Sequence, residues 1–281
     1  MPIERIKRVQ DFILHNLDKE LTLDILSEVA NLSKFHFHRV FLVHTGMTLF
    51  KFIQMSRLKK AAYQLAFNKD MQIIDIALDV GFESPEAFAR AFKKMLTQTP
   101  SQFRKKPNWD FRYNKFQFQN LNGVERMDVR IVDFPETKIA LIEHRGSPNK
   151  ILETAGQFIK WRKETGLSPI KTSKTFGIPY SDPNVTPEDD FHFDVCGSIN
   201  DDVPENDYKV KTGSIPGGRC AVVQHIGSLD NISESVYYLY KNWLPTSGEE
   251  LRDFPCYFQY LNLLIDVDEC DLITDIYLPL K

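Results

Sequence analysis

Residues 80–92 read Val80-Gly81-Phe82-Glu83-Ser84-Pro85-Glu86-Ala87-Phe88-Ala89-Arg90-Ala91-Phe92. At an offset of 51 residues the chain has already read Val29-Ala30-Asn31-Leu32-Ser33, with Phe37, Arg39 and Phe41 standing for Phe88, Arg90 and Phe92. Thr48 and Phe52 likewise match Thr99 and Phe103. Each copy predicts a helix, a turn of three or four residues and a second helix that opens on serine. Serine accepts a hydrogen bond from the orphan amides of a first helical turn, and Pro85 suits the first helical position. Twice repeated, this is helix-turn-helix spacing.

Working outward, Ile3, Ile6, Ile13 and Leu17 fall at helical spacing, and Thr22 opens a helix carrying Leu23, Leu26 and Val29. Phe50–Phe67 contains no Gly or Pro and predicts one continuous helix of 18 residues, about 27 Å long. With its flanking units, that spacer sets the two second helices roughly one DNA turn, ~34 Å, apart. Pro107 ends the helical half. Residues 1–107 hold 17 Lys+Arg against 11 Asp+Glu, a net of +6, whereas residues 108–281 hold 18 against 27, a net of −9. Charge divided this way points to a polyanion for the first half alone.

Residues 21–104 resemble the DNA-binding domain of AraC/XylS-type transcription regulators. The resemblance rests on Gly81-Phe82-x-Ser84, on Phe88-x-Arg90-x-Phe92-Lys93-Lys94, and on Thr99-Pro100-Ser101-Gln102-Phe103-Arg104. The family's glycine ahead of Thr-Pro is Thr97 here, although Gly46 keeps it in the first copy. Helical spacing and the resemblance agree on the DNA-facing residues. Lys34, Phe35, His38 and Arg39 share one face, while Phe37, Val40 and Phe41 turn to the core. Glu86, Ala87, Arg90 and Lys94 repeat that geometry. Arg39 and Arg90 can each donate two hydrogen bonds to guanine O6 and N7, Phe35 can pack on a thymine methyl, and Glu86 can accept from cytosine N4. His38 can reach a base edge or a phosphate. Lys93, Lys94, Lys105 and Lys106 suit phosphates, which give affinity without sequence information.

Beyond residue 108 the texture changes to β-branched and aromatic runs at 129–132, 138–143, 191–199, 208–214, 219–225, 256–261 and 273–278. Helical stretches interrupt them at about 150–165 and 232–244, with a polar loop at 182–190. Here the repeat offset is 81. Phe134-Pro135 matches Ile215-Pro216, Lys138–His144 matches Arg219–His225, and Gly146-Ser147 matches Gly227-Ser228. Two strand-strand-helix-strand units of this kind predict an α+β domain with pseudo-twofold symmetry and a groove between its helices. Gly217-Gly218 reads as a hairpin turn. The expected organisation is an all-α double helix-turn-helix domain at 1–107, a linker at 108–125 and the α+β domain at 126–281.

The second half is similar to the GyrI-like effector-binding domain. Phe193-Asp194-Val195-Cys196, Asp230–Glu234, Trp243–Gly248 and Leu251–Cys256 carry the likeness. That family commonly places a glutamate, which contacts cationic or polar ligands, where this chain has Phe258; Tyr257 and Gln259 face the opposite way. A phenyl ring offers neither a buried charge nor a base, so the resemblance implies an apolar or aromatic small-molecule effector, or a vestigial pocket. Trp161, Tyr180, Phe193, Trp243, Phe258 and Tyr260 are its candidate lining.

The remaining features exclude more than they add. At 42% hydrophobic and 26% charged the chain reads as an ordinary globule. No apolar run approaches the ~20 residues of a membrane span, and Met1-Pro-Ile-Glu-Arg predicts no secretory signal. Cys196, Cys220, Cys256 and Cys270 form no CxxC pair, and His36 and His38 point to different faces, so neither a metal site nor another cofactor is expected. No HExxH, P-loop or G-x-S-x-G occurs. The expectation is a non-enzymatic, cytoplasmic transcription regulator that binds the major groove of double-stranded DNA, contacts RNA polymerase and responds to a small molecule. A hydrolase, or a partner-binding protein with a DNA-anchoring first half, is the alternative reading.

Overall fold

A computed structural model describes residues 2–109, 127–264 and 266–281. The chain folds as two compact units: residues 1–121 with 264–271, and residues 122–263 with 272–281.

The first unit is helical among its described residues. Its helices are α1 (Pro2–His15), α2 (Leu23–Val29), α3 (Lys34–Thr45), α4 (Leu49–Phe67), α5 (Ile73–Asp79), α6 (Pro85–Leu96) and α7 (Pro100–Lys105). Side-chain caps start most of them. Thr22, Ser33, Thr48, Ser84 and Thr99 each accept from an amide three residues on, and Thr99 with Gln102 closes a full capping box. At 19 residues, α4 runs about 28 Å. One core gathers Ile6, Val9, Ile13, Leu26, Phe37, Phe41, Phe52 and their neighbours on the α1 side. In the other copy Phe88, Phe92 and Phe103 are fully buried, with Phe92 tilted against Phe88 and edge to face with Phe103.

The two copies are not related by one constant offset. Leu26, Ser27 and Ala30 are buried in the first copy, and Ile76, Ala77 and Val80 in the second, an offset of 50. The serine caps and phenylalanines behind them keep 51. The difference is one residue inserted in the second turn, which runs Val80–Ser84 where the first runs Ala30–Ser33. Matching Val29 to Val80, as the sequence suggested, therefore pairs a half-buried position with a fully buried one. Both turns enter the left-handed region just after the helix end, at Asn31 (φ +50°) and Gly81 (φ +78°), and a Cβ on Gly81 would lie within van der Waals radii of the Leu17 carbonyl and the Arg57 guanidinium.

Two segments pack outside the expected boundaries. Trp109 is buried against Phe103, Phe67 and Tyr63, so the first core runs past the limit expected at residue 107. Most of the expected 108–125 linker lies outside the described residues. Residues 264–271, expected within the second domain, belong to the first unit. Their acidic side chains meet lysines of α4: Glu269 pairs with Lys59, and Asp268 lies 2.8 Å from Lys60.

Among the described residues of the second unit, eight strands form one antiparallel sheet. They are β1 (Val129–Phe134), β2 (Thr137–Arg145), β3 (Thr175–Pro179), β4 (His192–Ser198), β5 (Lys211–Ile215), β6 (Gly218–Ile226), β7 (Tyr257–Tyr260) and β8 (Ile273–Pro279). Their order, β1-β6-β8-β7-β3-β4-β2-β5, reads as two symmetric halves meeting at β7 and β3. Helix α8 (Ile151–Thr165) packs on β2 and β4, and α9 (Ile232–Tyr238) on β6. A π-helical turn at Leu239–Trp243 carries α9 into α10 (Leu244–Ser247).

The repeats exchange their first strands. β1 pairs with β6 of the other copy, and β5 pairs with β2. Gly217-Gly218 is accordingly a crossover and not the hairpin turn expected, because β5 and β6 do not pair. A Cβ on Gly217 would lie 2.7 Å from the Glu136 amide, so the two crossovers pass in close contact. β3 falls in none of the strand runs read from the sequence. Equivalent histidines pin both repeats: His144 contacts Thr154 Oγ1 (2.8 Å) and the Ser147 carbonyl, and His225 contacts Ser235 Oγ (2.9 Å) and the Ser228 carbonyl.

The first copy ends α3 on Gly46 at φ +69°, whereas Thr97 ends α6 at φ +60°. A β-branched residue is strained in this left-handed region, and glycine is not. Thr97→Gly should stabilise the first unit by about 1 kcal/mol, read as a higher denaturant midpoint at unchanged m; a midpoint at or below that of the parent chain would show that the Thr97 hydroxyl's bond to the Leu96 carbonyl outweighs the strain.

Candidate nucleic-acid interface and ligand groove

Packing decides which side of each second helix faces outward. Phe37 and Phe41 on α3, and Phe88 and Phe92 on α6, are fully buried four residues apart. A helix with two such anchors has one rotation available, and the residues opposite must face solvent. On α3 these are Lys34, Phe35, His38 and Arg39, all exposed. Phe35 is 79% exposed, with the Arg39 guanidinium 6.0 Å from its ring centre. Lys34 pairs with Asp24 on α2, an exposed ion pair of little energetic weight.

On α6, Glu86, Arg90, Lys93 and Lys94 are exposed, and Ala87 is half-buried with its amide held by Ser84 Oγ at 3.2 Å. Among the described residues neither Arg39 nor Arg90 has a carboxylate partner, so both guanidiniums present their donors to solvent. Lys105 and Lys106 are exposed just beyond, at the end of α7. Sequence reading missed the apolar continuation of the α3 face, Leu42 and Val43, of which Val43 is 75% exposed. Its signal was present: positions 35, 39 and 43 recur every four residues.

The six aromatic candidates of the second unit divide differently. Gly177 pairs with Phe258 across β3 and β7, and a Cβ on it would meet Phe193 and the Tyr260 hydroxyl at 2.5 and 2.6 Å. Phe193, Phe258 and Tyr260 thus gather on one face, with Phe193 and Phe258 ring centres 6.5 Å apart. Trp161 and Trp243 pack into the same core. Trp161 is fully buried, stacked on Phe158, and its Nε1 hydrogen has no acceptor among the described residues. Burial pushes the Tyr260 phenol well above its usual range. Tyr257 lies on the opposite face, stacked on Tyr277, as strand alternation required.

Tyr180 does not join this group. It pairs with His192, one residue from Phe193, and so projects from the other face. There its ring stacks on His192 at 4.1 Å, and His192 Nε2 lies 2.9 Å from Asp194 Oδ1. Burial, then the neighbouring Asp194 carboxylate, holds the Tyr180 hydroxyl far above its usual range. Burial also raises the Asp194 carboxyl, against the opposing pull of His192. The alternation of His192 and Asp194 with Phe193 and Val195 was the available signal for this cluster. A solvent-open cavity of about 950 Å³ lies elsewhere, lined by Glu143, Arg145, Glu205, Lys209 and Lys211 among others; it takes in none of the six aromatic candidates.

Serine-capped second helices with cationic outer faces define a helix-turn-helix DNA-binding protein, here combined with an α+β domain of symmetric repeats. The family of GyrI-like small molecule binding domains matches residues 127–281, and a helix-turn-helix domain family matches residues 26–106. The chain belongs to the GyrI-like family and carries an AraC-type helix-turn-helix domain ahead of it. It is 47% identical over 154 residues to the "Probable transcriptional regulator YgiV" of Escherichia coli (strain K12), covering 55% of this chain and 96% of that protein. Over 105 residues it is 41% identical to the "Transposon Tn10 TetD protein" of Escherichia coli, covering 37% and 75%. The "Right origin-binding protein" of Escherichia coli (strain K12) aligns over 240 residues at 26% identity, covering 82% and 81%.

Replacing Arg90 by alanine should cost about 1–3 kcal/mol of binding at a single base position, and Lys94→Ala should weaken every sequence evenly. Binding measured across a set of single-base operator variants separates the two; a Lys94→Ala loss confined to one base would exchange their roles.

Proposed function

We propose that the protein is a sequence-specific transcription regulator whose α3 and α6 read two adjacent major-groove segments, and that an apolar or aromatic small molecule bound in the second unit adjusts that reading. The observation that carries the DNA half is the pair of exposed, carboxylate-free arginines, Arg39 and Arg90, at equivalent positions of two serine-capped helices. Phosphate-directed lysines at the ends of α6 and α7 supply the sequence-independent part of the affinity. Arginine against guanine supplies the discrimination.

The ligand half rests on Phe193, Phe258 and Tyr260 around Gly177. With Phe258 in place of an acid, this face favours aromatic stacking and dispersion over charge pairing. The same replacement removes the acid that a hydrolytic reading needs, so the proposal is non-enzymatic. Ligand acts through its differential affinity for two states of the protein. Contact with RNA polymerase and a cytoplasmic setting belong to the same proposal. No helix among the described residues is long and apolar enough to cross a membrane.

Selection of randomised duplex DNA by the intact chain at two salt concentrations tests this reading. An asymmetric site of two short boxes, enriched at both salts, is the expected outcome. Salt-sensitive binding with no enriched sequence would reduce the first unit to a nonspecific anchor.

A further inference from the structure

Within the first unit, one side-chain cluster serves neither the DNA-facing helices nor the ligand face. His15 ends α1, and Cys270 and Asp271 lie in the 3-10 turn Glu269–Asp271. All three belong to the first unit. One donor atom from each falls within 4.8 Å of the other two. His15 Nε2 is 3.1 Å from Asp271 Oδ1 and 3.4 Å from Cys270 Sγ. Ordinary zinc–ligand bonds at tetrahedral angles would hold such pairs about 3.3 and 3.6 Å apart. The donors already stand close to ligand spacing.

The imidazole is also oriented from behind. His15 Nδ1 lies 2.7 Å from the Asp11 carbonyl oxygen. A carbonyl can only accept, so this bond places a proton on Nδ1 and fixes the ring with Nε2 facing the thiol and the carboxylate. A backbone carbonyl behind the ring is the support that metal-ligating histidines use. Without an ion, a proton on Nε2 bridges the ring to the carboxylate, and a bound cation takes the place of that proton. The Asp268 and Asp11 carboxylates deepen the negative field around Cys270.

The donor set selects the ion. Nitrogen, sulfur and one carboxylate oxygen suit zinc(II) or cobalt(II), whereas magnesium and calcium take oxygen alone. The His15 and Asp271 side chains are 46% and 53% exposed, which gives an ion entry from solvent and leaves a fourth position for water.

We propose that His15 Nε2, Cys270 Sγ and Asp271 Oδ1 form a binding site for one divalent transition-metal ion, zinc(II) by preference. Cysteine binds as the thiolate: the metal–sulfur bond forms as the S–H bond breaks, and the proton passes to solvent. The ion then fixes the end of α1 to the acidic 264–271 segment.

Cobalt(II) titration of the full chain tests the site, because a thiolate bound to cobalt gives a charge-transfer band that nitrogen and oxygen ligands do not. The expected result is a band that saturates at one equivalent and is removed by added zinc(II). It should vanish in Cys270→Ser, and His15→Gln should weaken binding by at least about tenfold. Circular dichroism confirms that each variant is folded. Absence of the band in the parent chain would overturn the proposal and leave an imidazolium–carboxylate pair. Persistence of the band in Cys270→Ser, or unchanged affinity in His15→Gln, would overturn it equally.

Discussion

The structure depends on two pairs of phenylalanines set four residues apart. Phe37 with Phe41, and Phe88 with Phe92, bury completely and fix the rotation of α3 and α6 about their own axes. Arg39 and Arg90 then have no inward option. A large-to-small change at any of these four would cost several kcal/mol through the cavity it leaves, and would free the helix to turn its cations away from DNA. The serine caps, the left-handed turns and the 19-residue α4 serve the same end. They hold two short helices, too short to be stable alone, at a fixed orientation on one arm.

The second unit achieves its rigidity by a different route. Each repeat gives its first strand to the other, so neither half of the sheet is complete without its partner. Burial is divided between two faces. One carries Phe193, Val195, Phe258 and the helices, and the other carries Phe176, Cys196, Cys220 and Tyr257. At the seam between the halves, β3 and β7, the small residue Gly177 lets Phe193 and Tyr260 close over the sheet. Apolar aromatic side chains therefore collect at this seam, with Phe193 and Phe258 buried in the core on that face.

Local features were legible in the sequence because they are coded locally. Helix starts at Thr22, Ser33 and Ser84, the continuous α4 and most strands follow from caps and periodicity within a dozen residues. The outward placement of Arg39 and Arg90 follows from the same arithmetic. Relations between distant segments were not legible. Strand exchange is a pairing choice between repeats, and nothing in Ile215-Pro216-Gly217-Gly218 distinguishes a crossover from a hairpin. The one-residue insertion at 80–84 was hidden by a coincidental Val29–Val80 match. Tyr180 was misplaced by parity alone, since a strand at Thr175–Pro179, broken by glycine and closed by proline, gave no periodic signal to count from. His15 and Cys270 lie too far apart in the chain for any spacing rule to join them.

The proposed function turns on one arm carrying two DNA-reading helices. Hydroxyl-radical footprinting of the full chain on its selected site measures this directly. Two protected patches are expected on one face of the duplex, about 10 base pairs between centres, with the Arg90→Ala chain losing contrast in one patch only. A single protected patch, or two patches on opposite faces, would contradict it.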